Sequence, residues 1–145
     1  MTYYAVIDTN VIVSSMLKTD SIPGLIVKLI EKETIVPLLN EEILNEYLEV
    51  LSRNKFEIDP NRINTLLKTI KAKAIFIEKE KTLEDFIDKD DIVFFEIVMS
   101  ARSSMDAYLI TGNMKHYPVR SYIVTPREMI QIIEKENGHL YLEDA

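Results

Sequence analysis

Three residue types that often build functional sites are scarce in this chain of 145 residues. It has no cysteine, only three glycines and only two histidines, His116 and His139. Without cysteine, disulfides and thiolate metal sites are excluded, and the shortage of histidine leaves oxygen as the main donor for any metal. The scarcity of glycine also excludes a glycine-rich loop of the kind that cradles phosphates.

Long hydrophobic runs are absent as well. No apolar stretch approaches the roughly 18 residues that a membrane span requires. The N-terminus does not combine a basic region with a following apolar stretch, which is the pattern of an export signal. We therefore expect a cytoplasmic protein, and the chain length predicts one domain with a substantial core.

Basic residues are too few to balance the acidic ones. There are 17 lysines and arginines against 24 aspartates and glutamates, which gives a net charge of −7. Proteins that coat nucleic acid are usually basic. A function on nucleic acid would therefore require a local basic patch, an acidic site neutralised by metal, or a basic partner.

Apolar patterning predicts alternating strands and helices. Strands are predicted at 3–7, 34–38, 74–78, 107–111 and 121–124, and helices at 11–17, 23–31, 40–52, 60–71, 92–101 and 126–135. Such alternation is typical of βαβ units, in which a mostly parallel sheet is covered by helices on both faces. We thus predict an α/β fold with three layers. Pro37 is expected at the end of the second strand, because proline cannot donate to a strand ladder.

The first strand delivers an aspartate at its carboxyl end, where ligand sites of open α/β sheets form. This residue is Asp8, and Thr9 and Asn10 behind it can cap a helix that begins near Val11. An isolated aspartate here could equally be a turn or capping residue. What favours a site is that other polar residues fall at equivalent places.

Three further positions are predicted at the same edge of the sheet. Asn113 follows the fourth strand, and Asp91, with Asp90 beside it, starts the helix after the third strand. Glu46 lies inside the third helix and reaches the edge only if that helix packs across it. Taken singly, the aspartates could be ordinary acids of a helix N-terminus and Glu46 a solvated helix residue. His116 and Lys115 are expected on a solvated turn.

A cluster of oxygen donors suits Mg²⁺ or Mn²⁺. Crowded carboxylates repel one another unless a cation lies between them. We therefore expect carboxyl oxygens of Asp8, Glu46 and either Asp90 or Asp91 to hold one ion, directly or through water. Such a site can activate water and stabilise the charge of a phosphodiester under attack.

Four segments, in order, resemble the acidic motifs of the PIN-domain family, in particular its toxin–antitoxin branch (VapC-like). They are VIDTNV at 6–11, EILNEYLEVL at 42–51, DKDDIVF at 88–94 and YLITGN at 108–113. The likeness extends from about residue 3 to residue 125. It implies a five-stranded parallel sheet in the order 3-2-1-4-5, divalent-metal ribonuclease activity, a homodimer and a small antitoxin partner.

The resemblance also implies roles for individual residues. It makes Asp8, Glu46 and Asp91 the catalytic acids. Metal ligands would be Asp8, Asp90, Asp91 and Asn113, and contacts to the RNA substrate would come from Asn10, Thr111 and Lys115. Asn113 departs from the family pattern, which has aspartate there. It keeps an oxygen donor but loses a charge.

Two other functions compete with the nuclease. One is a catalytically weak PIN-like domain that binds proteins. The other is a phosphoryl-transfer domain of the receiver or haloacid-dehalogenase kind. The dehalogenase pattern needs a second acid where Asn10 stands, and the receiver pattern needs an aspartate at the end of the third strand, which finishes near Glu78. Residues 1–136 are predicted to form the nuclease-like domain, and residues 137–145 an acidic tail.

Overall fold

The structure is a computed structural model that describes residues 1–79 and 91–142. Asp90, one of the predicted metal ligands, lies outside the described residues, as do residues 143–145 of the predicted tail. No helix in the described part of the chain is both long and apolar enough to cross a membrane.

Five parallel strands form one sheet. They are β1 (Tyr3–Ile7), β2 (Ile35–Leu39), β3 (Ile75–Phe76), β4 (Ala107–Ile110) and β5 (Ile123–Val124). Their order across the sheet is β3-β2-β1-β4-β5, which confirms the predicted order. The two edge strands are shorter than predicted, with two residues each.

In the described part of the chain, six helices connect and cover the strands. They are α1 (Thr9–Leu17), α2 (Ile22–Glu31), α3 (Glu41–Leu51), α4 (Pro60–Lys73), α5 (Ile92–Ala101) and α6 (Pro126–Asn137). Short 3-10 turns follow at Asn54–Phe56 and Met114–His116. The predicted α/β class is confirmed. Helix α5 packs against β1, β2 and β4, and its apolar residues are buried almost all round.

The central strand β1 is buried on both faces, as its continuous apolar sequence predicts. Ala5, Val6 and Ile7 are essentially inaccessible to solvent. Strands covered by helices on both faces read as unbroken apolar runs rather than as alternating patterns. Burial on both sides fixes β1 rigidly, so the residue at its exit is held in a defined place.

Pro37 lies in the middle of β2, so the prediction that it ends the strand is wrong. It stands opposite Ala5 of β1. The carbonyl of Leu39, two residues on, accepts from Ile77 on the β3 side, so the nitrogen of Pro37 also faces that side. Strand β3 begins only opposite Leu38. Pro37 therefore breaks no ladder bond, because the ladder on its side has not yet begun.

Helix α1 begins at Thr9 rather than near Val11. Asp8 occupies the N-cap position, but its side chain makes no capping hydrogen bond. Thr9 and Asn10 thus lie in the first turn and do not cap the helix, which corrects the sequence interpretation. The starts of α3 and α6 agree with the predicted ranges: Asn40 caps α3, and Thr125 with Glu128 forms the capping box of α6.

Candidate active site

The site is built around Asp8, whose carboxylate is buried, with 4% of the residue exposed. Three side chains donate to the same oxygen, Oδ2: Thr111 from 2.8 Å, Tyr117 from 2.9 Å and Asn10 from 3.3 Å. The other oxygen, Oδ1, receives none of these three bonds. The carboxylate is therefore held in one orientation without being used as a helix cap.

Burial raises the pKa of Asp8 above its ordinary value of 3.8, although hydrogen bonds from Thr111 and Tyr117 and from the backbone of Thr9 lower it. Because the pKa is raised in the folded state, the ionised carboxylate destabilises the fold. A bound cation would reverse that effect. An ionised group that is destabilised by burial at a concave site is typical of functional residues.

Glu46 reaches the edge of the sheet because α3 packs across the end of β1. The hydroxyl of Tyr47 donates to the carbonyl of Ile7, the last residue of β1. The neighbouring Glu46 accepts a hydrogen bond from the hydroxyl of Thr9. The local sequence around Glu46 does not determine how α3 packs against β1. Glu46 is half-buried and does not point into bulk solvent.

Asp91 stands at the N-cap of α5 and, like Asp8, makes no capping bond with its side chain. Its Oδ2 lies 2.7 Å from Nδ1 of His116. The ring of His116 also lies next to the amide of Asn113, whose Nδ2 is 3.0 Å from Nε2. His116 lies on a turn, as predicted, but its side chain is only partly exposed and contacts Asp91. The turn folds back onto α5, and Asn113 and Asp91 both contact the ring of His116.

The loop after β4 is fixed to helix α1. The backbone N–H of Gly112 donates to Oδ1 of Asn10 at 2.9 Å, and that of Asn113 donates to Oγ1 of Thr111 at 3.0 Å. A Cβ on residue 112 would lie 3.1 Å from Oδ1 of Asn10, so glycine permits the close approach. These bonds hold the amide of Asn113 beside the cleft.

These elements surround a cleft of about 370 Å³. Its walls carry the three predicted catalytic acids together with cationic, amide and apolar side chains; the lining residues are Asp8, Thr9, Asn10, Val13, Ser14, Glu46, Val50, Arg53, Phe56, Asp91, Asn113 and His116. Asp8, Glu46 and Asp91 come from three separate elements. The charges of all three acids act on one group, the phenol of Tyr117. Burial is the largest cause that raises the pKa of this phenol, and the charges of Asp8, Asp91 and Glu46 raise it further.

The three predicted substrate contacts occupy different places. Asn10 lines the cleft. Thr111 is fully buried and its hydroxyl is bound to Asp8, so it lies beneath the cleft surface. Lys115 is exposed in the 3-10 turn and is not among the residues that line the cleft.

Sequence reasoning missed Tyr117, Thr9 and the contact made by His116. Tyr117 belongs to no motif, and nothing in its neighbourhood distinguishes it from the other six tyrosines. The sequence pattern predicts Thr9 as a cap, whereas its hydroxyl donates to Glu46. His116 could have been noticed as the histidine that follows the fourth acidic motif by three residues.

The donor set fits a hydrated Mg²⁺ or Mn²⁺. Carboxylate and amide oxygens line the cleft, and such ions keep several waters while taking one or two carboxylates. Within residues 1–79 and 91–142, no three His, Cys, Asp or Glu side chains form a ready group of direct ligands. Of the two modes expected from the sequence, this arrangement favours coordination partly through water.

Comparison with known proteins agrees with this geometry. A family model described as PIN domain matches residues 4–115, which is most of the chain. The chain belongs to the PIN-domain family. Membership of this family rules out the two phosphoryl-transfer alternatives, the receiver and the haloacid-dehalogenase domain. PIN domains are generally metal-dependent nucleases.

One relative aligns with nearly the whole PIN domain and beyond it. Uncharacterized protein MJ1680 of Methanocaldococcus jannaschii is 29% identical over 145 residues, covering 90% of this chain and 91% of that protein. The similarity thus continues past the family match towards the C-terminus. Helix α6 lies in that part of the chain.

Proposed function

We propose that this PIN domain is an endoribonuclease that depends on Mg²⁺ or Mn²⁺ and hydrolyses phosphodiester bonds in RNA. The observation that carries the proposal is the shared cleft. Asp8 from β1, Glu46 from α3 and Asp91 from α5 line it together with the amide of Asn113. Three acids from separate elements rarely converge by chance, because like charges in one cleft repel.

The metal, when bound, activates a water and neutralises charge on the phosphodiester. The chain's own residues prepare the site for it. Asp8 offers Oδ1 while Thr111 and Tyr117 fix Oδ2. Thr9 orients Glu46, and His116 holds Asp91. Hydrogen-bond partners of this kind keep metal ligands in place and maintain their geometry.

The remaining residue roles are part of the same proposal. Asp90, next to Asp91 in the sequence, stays a predicted metal ligand. Asn10 is placed to contact RNA within the cleft, and Lys115 can reach RNA that extends beyond it. Thr111 acts indirectly, by positioning Asp8.

For the biological role we propose the toxin component of a toxin–antitoxin pair, acting as a homodimer in the cytoplasm and held inactive by a small antitoxin protein. The four motif segments support it, because they resemble the VapC-like branch of the family. Controlled expression of wild type and Asp8→Asn in a host cell tests this role. Growth arrest by the wild type alone supports a toxin, and gel filtration measures the homodimer.

A second candidate is a catalytically weak PIN domain that binds proteins. Two observations favour it: Asn113 stands in place of an acid, and the described residues contain no direct three-ligand group. Affinity at oxygen sites depends partly on ligand charge. This candidate predicts little cleavage at any concentration of metal.

The deciding experiment compares Asp8→Asn with Asp20→Asn, an exposed acid outside the cleft. Without metal, Asp8→Asn should be as stable as wild type or more stable, because it removes a buried charge. At about 100 times Kd, Mn²⁺ should stabilise the wild type by about 2.7 kcal/mol. Asp8→Asn should lose both this stabilisation and the cleavage of RNA.

The control Asp20→Asn should keep Mn²⁺ stabilisation and cleavage. If Asp8→Asn unfolds the protein, Asp8 is a structural residue and the proposal fails. If wild type binds Mn²⁺ but cleaves no RNA, the second candidate is correct.

A further inference from the structure

The cleft has two chemically different ends. Asp8, Glu46 and Asp91 contribute carboxylates to the lining, whereas Val13, Val50, Arg53 and Phe56 contribute apolar, cationic and aromatic groups. A metal site alone needs no arginine and no aromatic ring. The second end therefore calls for its own explanation.

Helix α3 shows how the two ends are related. Glu46 and Val50 are four residues apart and share one face of the helix, and Arg53 follows just after the helix ends at Leu51. Asn10 and Val13 are spaced similarly on α1. The cleft thus runs along both helices, away from the acids. From Glu46 to Leu51 the helix advances roughly 7.5 Å, and Arg53 lies two residues further on.

The charged side chain that lines this second end is a cation, in a protein whose net charge is −7. Arg53 contributes a guanidinium, bound to Glu49 by two hydrogen bonds of 2.9 and 3.3 Å. Both side chains are about half exposed, at 48% and 63%. Exposed ion pairs of this kind contribute little stability, so Arg53 can exchange the carboxylate for a phosphate. Its planar fork matches either group.

Phe56 supplies an aromatic surface beside this cation. The ring is partly buried against the core and partly lines the cleft. It closes the 3-10 turn Asn54–Phe56, and the next residue, Glu57, has a left-handed backbone with φ of 52°. Lys55 adds a second cation, with Nζ 5.1 Å from the ring centre. Aromatic rings flanked by cations are the surfaces on which single-stranded bases stack.

We infer that Val50, Arg53 and Phe56 form a nucleotide-binding subsite for single-stranded RNA. The base next to the cleaved bond stacks on Phe56, and Arg53 binds the phosphate of that nucleotide. The subsite rests on the proposed ribonuclease function and adds to it the local positive charge that an acidic protein needs to hold RNA. It also makes the protein read one nucleotide at a fixed distance from the cleaved bond.

The test uses a short single-stranded RNA whose cleavage site is first mapped with wild type and Mn²⁺. Single abasic nucleotides are then placed at each position on both sides of that site. Phe56→Leu keeps the apolar packing but removes the ring. Phe56→Tyr keeps the ring, and Arg53→Gln removes the cation. Controls are Phe76→Leu on the exposed edge strand and Arg127→Gln, exposed on α6.

We expect Phe56→Leu to lower kcat/KM by roughly five- to 150-fold, mainly through KM, as is usual for loss of one stacked base. One abasic position should cost the wild type the same factor and cost Phe56→Leu almost nothing further. Phe56→Tyr should restore activity, and Arg53→Gln should raise KM. Phe56→Leu and Arg53→Gln should leave the Mn²⁺-induced rise in Tm unchanged. The two controls should cleave like wild type.

Binding of the same RNA, measured by fluorescence anisotropy in EDTA, separates the two proposals. If wild type binds RNA through Phe56 but does not cleave it, the subsite stands and the nuclease function fails. If wild type cleaves and Phe56→Leu matches it at every abasic position, the subsite is refuted and the nuclease stands. If wild type neither cleaves nor binds RNA, both are refuted.

Discussion

Removing the hydroxyl of Tyr117 tests whether Asp8 is held as a charged group. That hydroxyl lies 2.9 Å from Oδ2 of Asp8, and the two residues are 6% and 4% exposed. A buried hydrogen bond to a charged group contributes about 1.5–3 kcal/mol, against about 0.5–1.5 kcal/mol for a neutral one. Tyr117→Phe should therefore lower the free energy of unfolding at neutral pH by about 1.5–3 kcal/mol.

The loss should depend on pH in a direction that follows from the pKa of Asp8. Burial already raises this pKa above 3.8, and loss of the Tyr117 bond, which lowers it, raises it further. A carboxyl with a raised pKa in the folded state destabilises the fold when ionised, and this penalty disappears on protonation. As pH falls from neutral towards 3.8, both proteins gain stability from this group, and Tyr117→Phe gains more.

Thermal and urea unfolding measure this prediction. For a domain of this size about 2–4 °C of Tm corresponds to 1 kcal/mol, so we expect Tm to fall by roughly 3–12 °C at neutral pH. Tyr122→Phe is the matched control, because the bond from its hydroxyl to the sulfur of Met99 lies at an exposed position. The loss should shrink to about 0.5–1.5 kcal/mol in an Asp8→Asn background. If Tyr117→Phe lowers the free energy of unfolding by the same amount at all pH values and in the Asp8→Asn background, the role of the charged hydrogen bond is refuted. Tyr117 then acts through packing.

Two further predictions concern the metal. Asn113→Asp should tighten Mn²⁺ binding in the free protein and raise cleavage at limiting metal, because it adds a charge to the donor set. Calorimetric titration measures the binding, and a cleavage assay measures the activity. If neither changes, Asn113 does not lie in the metal shell. His116→Ala should weaken Mn²⁺ affinity about 10–100-fold, as loss of a residue that orients a ligand does. His139→Ala, at an exposed position, should leave the titration unchanged, and an equal loss in both variants would contradict the role of His116.

Much of the fold was predictable because its signals are local. The apolar run of β1 predicts a buried strand, and the proline and capping box at Thr125 predict the start of α6. Alternating strands and helices then limit the topology to a parallel sheet. The strand order itself was implied by the family resemblance. The prediction that Pro37 ends its strand is wrong, because the place of a proline in a sheet depends on where the neighbouring strand begins.

For the site, the sequence by itself placed Asp8 at the exit of a buried strand and Asp91 at a helix start. Their partners were decided only by tertiary structure. Thr9 and Glu46 are 37 residues apart, His116 and Asp91 are 25 apart, and Tyr117 and Asp8 are 109 apart. Such contacts arise from packing of α3 and the loop after β4, whereas capping and periodicity act over a few residues. The sequence therefore determined that Asp8 and Asp91 lie at the sheet edge, and the tertiary structure determined that Glu46 joins them and which side chains hold all three.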